Sequence, residues 1–321
     1  MSMSPTDSAI SEAARAIRAG QLVAFPTETV YGLGADATNG GAVARVFAAK
    51  GRPHFNPLIV HVANPADALK YGQIGGHLAK LTDAVWPGPL TVVVKQTSES
   101  PVAALATAGL DTVAIRCPAH PIAQRLIAEA ELPLVAPSAN VSGHVSATTA
   151  AHVRADFGRV VPIVLDGGPT RIGVESTIVT SDPDGQIVLL REGGMPRENI
   201  AEIVGNNAIA DRATQNNDVA PSAPGQMTSH YAPSTTVVLD ITEVPSGSAL
   251  LAFGGSVPIH DGPTRNLSPS GSLVEAAANL FDALRQLDAS GMDHISVMPI
   301  PNTGLGRAIN DRLRRAAAPK R

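Results

Sequence analysis

Short apolar runs recur along the first two thirds of the chain, separated by stretches whose apolar residues fall at helical spacing. The runs at 22–25, 58–62, 90–94, 112–115, 134–136, 163–165, 177–179 and 187–190 are rich in Val, Ile and Leu and predict β-strands. Their nearly continuous apolar character predicts strands covered on both faces. Between them, residues 42–50, 78–85, 121–129 and 149–156 predict helices. Strands and helices in alternation predict an α/β sheet. The pattern then lapses. Residues 206–217 are polar, and 221–233 carry three prolines with little periodicity, which predicts a linker. Beyond it the pattern resumes. Strands are predicted at 236–240, 249–253 and 294–298, and helices at 273–287 and 308–318. In the first of these helices Leu273, Ala276, Ala277, Leu280, Leu284 and Leu287 share one face. The pattern therefore predicts three units: 1–205, a linker at 206–234, and a smaller α/β unit at 235–321.

Composition refines this reading. The chain has 321 residues, 44% of them hydrophobic but only 3% aromatic, so its core must be aliphatic. The formal net charge of −4 gives no general attraction to nucleic acid. One cysteine, Cys117, excludes an intramolecular disulfide and a cysteine metal cage, and fits a reducing cytosol. The first residues lack the basic start and apolar run of a secretion leader, and no apolar stretch is long enough to cross a bilayer. A soluble cytoplasmic protein, with no membrane partner, is expected.

The candidate chemistry is concentrated early. Residues 25–34 and 50–61 place hydroxyls, cations and glycines beside short apolar strands, which suits a polyanionic ligand at the end of a sheet. Lys50, Arg52 and Asn56 fall within seven residues and read as a phosphate clamp, the arginine as a fork and the lysine as a point charge. The ordinary reading of Lys50 alone is a cation on a helix C-terminus. Arg116 and Arg191 end predicted strands, and Ser138 and Asn140 follow another, where ligands of open α/β sheets gather. A plain turn or helix cap is the ordinary reading of Ser138 and Asn140. Cys117 reads as structural, although Arg116 beside it could lower its pKa. The chain has no G-x-x-x-x-G-K-[ST] loop, no G-x-G-x-x-G after a strand, and no H-E-x-x-H metal spacing.

Segments 26–34, 50–61, 86–91, 108–116, 136–140 and 173–177 resemble, in order, the YrdC-type threonylcarbamoyl-AMP synthases. The resemblance covers roughly residues 10–205. The sequence His230-Tyr231-Ala232-Pro233 and the C-terminal unit resemble the long, two-domain form. The resemblance implies an open, twisted, mixed sheet with helices and a deep concave site, followed by a smaller Rossmann-like α/β domain. It implies that L-threonine, bicarbonate and ATP give threonylcarbamoyl-AMP, pyrophosphate and water. The product would serve a threonylcarbamoyl transferase complex acting on adenosine 37 of ANN-decoding tRNAs, with tRNA itself at most a weak partner.

The resemblance also implies residue roles. Thr29, His61, Arg116, Ala136 and Ser176 would hold L-threonine, with Arg116 on its carboxylate. Lys50, Arg52 and Asn56 would hold the triphosphate. Thr112, Ser138, Asn140, Ser146, Arg191 and Tyr231 would contact the nucleotide. Lys50, Arg52, Ser138 and Asn140 would act on the reacting groups. Mg²⁺ would arrive with ATP, with no metal ligand from protein side chains, and the linker would fold over the site. The C-terminal cations Arg307, Arg312, Arg314, Arg315, Lys320 and Arg321 read as a solvated helix end, with an RNA patch as the alternative. Two other functions compete: a binding protein for double-stranded RNA or tRNA, opposed by the net charge, and a carbamoyltransferase of the hydrogenase-maturation type, opposed by the lack of cysteine-rich zinc fingers.

Overall fold

The structure is a computed structural model, and it describes residues 6–210, 230–241 and 243–319. The N-terminal unit runs α1 (Asp7–Arg18), β1 (Val23–Phe25), β2 (Gly32–Asp36), α2 (Gly40–Lys50), β3 (Ile59–His61), α3 (Gly76–Val85), β4 (Leu90–Lys95), β5 (Thr112–Arg116), α4 (Pro121–Ala130), β6 (Leu134–Val135), α5 (Ala150–Phe157), β7 (Ile163–Val164), β8 (Thr177–Ser181), β9 (Ile187–Arg191) and α6 (Arg197–Val204). The C-terminal unit adds β10 (Thr236–Val238), β11 (Ser248–Ala252), β12 (Thr264–Asn266), α7 (Leu273–Asp288), β13 (His294–Val297) and α8 (Leu305–Ala317).

The first nine strands form one mixed sheet in the order β7-β1-β2-β6-β3-β5-β4-β8-β9. The pairs β1/β7, β3/β5 and β4/β8 are parallel and the others antiparallel. The C-terminal sheet is parallel throughout, in the order β10-β13-β11-β12.

Helices cover the large sheet unequally. On one face, α2, α3, α5 and α6 pack on Ala24, Leu33, Val60, Val92, Val113, Ile115, Val135 and Val179. On the other, α1 and α4 pack only on the half carrying Val23, Phe25, Leu134 and Leu165. The remainder of that face carries a separate apolar cluster, Ile59, Val93, Ala114, Ile178 and Leu190, to which no helix contributes. Those residues are nonetheless buried, so these strands are covered on both faces as expected, with helices on only one of them. The site lies along the half that has no helix.

Four elements are missing from the sequence reading. Helix α1 does carry helical spacing in Ile10, Ala13, Ala14 and Ile17, with Thr6 accepting from the Ala9 N–H as its N-cap. Helix α6 and the exposed edge strand β12 are short. Strand β2, Gly-Leu-Gly-Ala-Asp, has poor intrinsic strand preference. Its glycines are set by packing: a Cβ on Gly34 would lie 2.6 Å from Cε1 of Phe25.

The two units share a tight interface. Val30, Val145 and Val174 of the first unit join the apolar cluster of the second, with Tyr231 between them. Arg285 on α7 binds Asp156 through both Nη atoms at 2.8 Å and donates to the carbonyls of Val145 and Ser146. Gly173 has a φ of +81°, and a Cβ there would meet Ala277 O at 2.2 Å, so α7 lies directly on this backbone. Most of the predicted linker, residues 211–229, lies outside the described residues, as do Lys320 and Arg321.

Candidate active site

Strands β3 and β5 run parallel in register, with His61 opposite Arg116 at their carboxyl ends. Strand β6 returns antiparallel beside β3, and Ala136, just past its end, donates to Ile59 O. Ser138 bridges to Gly32 at the start of β2. These strand ends bound one cleft. Lys50, Arg52, His61, Arg116, Ala136, Ser138, Ser176, Arg191 and Tyr231, all expected at the site, line this one cleft.

Arg116 is fixed on three sides. Nη2 lies 2.5 Å from Glu28 Oε1, Nη1 2.9 Å from Thr29 Oγ1, and Nε 3.3 Å from Gly88 O. Glu28 is buried and accepts from the Ala119 N–H with its other oxygen. Thr29 does not line the cleft but holds Arg116, its hydroxyl also bonded to Thr27. Ser176 Oγ bonds Thr91 Oγ1 at 2.7 Å, and Arg191 donates to both the carbonyl and the hydroxyl of Ser176.

Lys50 is buried, and Nζ donates to the carbonyls of Ser138 and Asn140, each at 2.5 Å. Those two bonds hold the 138–140 loop against α2. Arg52 donates from Nε to Asn56 O at 3.1 Å, and from Nη2 to Asn56 Oδ1 and Pro57 O at 2.6 and 2.8 Å. Asn56 thus supports Arg52 rather than lining the cleft. Asn140 and Ser146 also stand behind the wall. The amide of Asn140 ties Val141 O and His144 O, and the hydroxyl of Ser146 binds Glu175. Thr112 does not reach the cleft lining. It opens β5, four residues from Arg116, half-buried, on the same sheet face as Arg116 and Ala114.

The cleft is electropositive and costly to leave so. Among the described residues, Lys50, Arg52, Arg116 and Arg191 line it against one carboxylate, Glu175. Burial, then repulsion from Arg52, pulls the Lys50 ammonium well below its usual pKa. Burial brings Arg52 down to about 10 and lowers Arg191. Burial, with Arg116 next to it, drops His61 to about 3, so its ring is neutral at ordinary pH. Burial and the surrounding cations push His230 down in the same way. An anionic ligand would relieve all of these groups at once. Cys117 goes the other way. Burial, reinforced by Glu28, raises its thiol to about 12, and Sγ donates to Ala63 O. Arg116 does not activate it, and it is structural.

The sequence reading missed Glu28, Glu175 and His230 as members of the site, and it misplaced Arg312. That arginine is fully buried beneath the cleft, not on a solvated helix end. Its signal was legible: it shares a helical face with Ala308, Ile309, Leu313 and Ala316. Arg307 pairs with Glu198 and Arg315 with Asp311, while Arg314 is exposed, so these residues do not form a free basic patch.

Residues 15–193 match the family model described as telomere recombination, of the Sua5, YciO and YrdC proteins, and residues 195–318 match the model described as the threonylcarbamoyl-AMP synthase C-terminal domain. The chain belongs to the threonylcarbamoyl-AMP synthase family. It is 42% identical to a synthase of Pyrococcus abyssi, covering 95% of this chain and 93% of that one. It is 40% identical to a synthase of Bacillus subtilis, covering 98% and 94%. The crystal structure of the P. abyssi family member Sua5 complexed with L-threonine superposes with a TM-score of 0.85, at 41% identity, over 96% of this chain and 94% of that one. Both units of this chain thus follow the two-domain family fold.

Proposed function

We propose that the protein is an L-threonylcarbamoyladenylate synthase. The observation that carries this reading is the gathering of a carboxylate-sized arginine site and a cluster of further cations in one cleft. The threonine carboxylate would lie on Arg116, whose orientation is set by Glu28, Thr29 and Gly88. His61, Ala136 and Ser176 would surround the rest of the amino acid. The triphosphate would meet Lys50, Arg52 and Arg191, with Ser138 and Tyr231 in the same wall.

The reaction balances simply. The threonine amine adds to bicarbonate and water leaves, giving an N-carboxy anion. A carbamate oxygen then attacks the α-phosphorus of ATP, and pyrophosphate departs with the electron pair of the broken P–O bond. Three anionic groups meet, so the chief task of the site is to offset their repulsion and hold them in line. A neutral His61 fits this task, because it can take part in hydrogen bonding beside the amine without adding a further positive charge. No activated Ser or Cys nucleophile is required, and Cys117 is in no state to act as one.

Among the described residues, no three His, Cys, Asp or Glu side chains are grouped to hold a metal ion. Glu175, the carboxylate in the lining, is already engaged by Arg312 and Ser146. Magnesium would arrive with ATP, held by phosphate oxygens and water. The product would pass to a threonylcarbamoyl transferase complex for adenosine 37 of ANN-decoding tRNAs. No described helix is long and apolar enough to cross a membrane.

The test is incubation with ATP, Mg²⁺, bicarbonate and each amino acid in turn, following pyrophosphate release. Release should require bicarbonate and L-threonine together. Equal release with serine or valine, or none with threonine, would overturn the reading. Salt-sensitive tRNA binding without turnover would favour an RNA-binding protein instead.

A further inference from the structure

Arg312 comes from the opposite unit to the cleft, on α8, and is packed among apolar neighbours with no solvent exposure. Its Nε lies 2.9 Å from Glu175 Oε2. Its Nη1 donates to Glu192 O at 2.8 Å and to Asp311 Oδ2 at 2.9 Å. The guanidinium carbon stands 5.0 Å from the centre of the Tyr231 ring, and Nη2 has no hydrogen-bond partner. A buried arginine in this position is expensive, so something must require it.

Glu175 supplies that requirement. Among the described residues it is the one carboxylate in the cleft lining, against four cations. Its second oxygen accepts from Ser146 Oγ at 2.5 Å. Its backbone is closely held: Gly194 N–H donates to Glu175 O at 2.8 Å, a Cβ on Gly193 would sit 2.4 Å from that oxygen, and the nearby Gly173 is pressed against α7. Lys50, Arg191, Arg312 and Tyr231 are the titratable groups that interact with it.

We infer that Arg312 is a positioning residue for polyphosphate: it pins and neutralises Glu175, so that a carboxylate does not face the anion that the cleft receives. The C-terminal unit thereby completes an electrostatic site built by the N-terminal one. This inference rests on reading the cleft as a triphosphate site. It assigns α8 a role in substrate affinity rather than in substrate contact.

The experiment measures binding of inorganic tripolyphosphate and of L-threonine to the full chain by calorimetry. Arg312→Met should weaken tripolyphosphate by about 30-fold or more, the scale for stripping one partner from a buried pair. Threonine affinity should stay within about threefold, because Arg116 and its partners are untouched. Removing both charges in Glu175→Gln/Arg312→Met should restore tripolyphosphate to within about fivefold of wild type. Glu175→Gln alone should bind tripolyphosphate at least as tightly as wild type. Equal losses for both ligands, or no recovery in the double variant, would overturn the inference. If Arg312→Met does not fold, the other two variants decide, since neither leaves a carboxylate unpaired; tenfold weaker tripolyphosphate binding in Glu175→Gln would refute the idea. A wild-type chain that binds no tripolyphosphate would overturn the triphosphate reading itself, whereas normal wild-type binding with unresponsive variants would overturn this inference alone.

Discussion

Replacing Arg116 by lysine keeps the charge and removes the fork. A guanidinium has five N–H groups, and the bonds to Glu28, Thr29 and Gly88 engage three, leaving two for a ligand. A lysine has three N–H groups on one atom, so it cannot keep those partners and also present a planar pair to a carboxylate. Losing one charge-assisted hydrogen bond costs about 1.5–3 kcal/mol. At about 1.4 kcal/mol per factor of ten, threonine affinity should fall roughly 12- to 140-fold. Calorimetric titration with L-threonine reads this directly, and circular dichroism confirms the fold. L-Threoninol, which has no carboxylate, should bind both proteins alike. A variant that holds threonine within about threefold of wild type would show that the carboxylate does not rest on Arg116.

Other perturbations follow from the same geometry. Lys50→Met strips the carbonyls of Ser138 and Asn140 of their shared donor, so unfolding in denaturant should show a loss of about 1–3 kcal/mol. Pyrophosphate release by this variant should fall about 100-fold or more, and a smaller effect would remove Lys50 from the reacting centre. His61 is neutral in the fold down to about pH 3 but titrates near 6.5 when unfolded. The unfolded chain therefore binds the extra proton between those values, and stability is complete above pH 6.5 and lost as pH falls below it. His61→Asn should flatten the denaturation midpoint between pH 6.5 and 5, and an unchanged slope would contradict the burial of a neutral ring. Gly173→Ala drives a Cβ into the backbone of α7 at a φ of +81°. Its melting temperature should fall by several degrees, for a cost above about 1 kcal/mol, and an unaltered melting curve would mean that the units are not pressed together there.

Much of the site was legible because its residues bracket strands. Arg116 and Arg191 end β5 and β9, and Lys50 ends α2, so predicted element ends carried them to the correct rim of the sheet. The segment 86–91 owes its place to contacts no periodicity reveals: Gly88 O receives Arg116, and Thr91 holds Ser176. Strand β2 was hidden by its glycines, whose absence of side chains answers the ring of Phe25 rather than a turn. Local pattern could not tell lining from support. Asn56 and Asn140 read as ligand contacts in sequence and Ser146 does so through the resemblance, and in the structure each braces a neighbour. Arg312 was misread because charge was weighed before helical phase. Its partner Glu175 lies 137 residues away, a distance only the fold can close.

The unequal helical cover of the large sheet has an energetic corollary. Ile59, Val93, Ala114, Ile178 and Leu190 are buried there although no helix contributes to their cluster. With no helix in that cluster, the strand ends that carry His61 and Arg116 stay open to the cleft, and a guest would meet the sheet directly. A wall already buried and packed needs no rearrangement to receive a ligand, so binding would add its free energy to a stability the sheet already has.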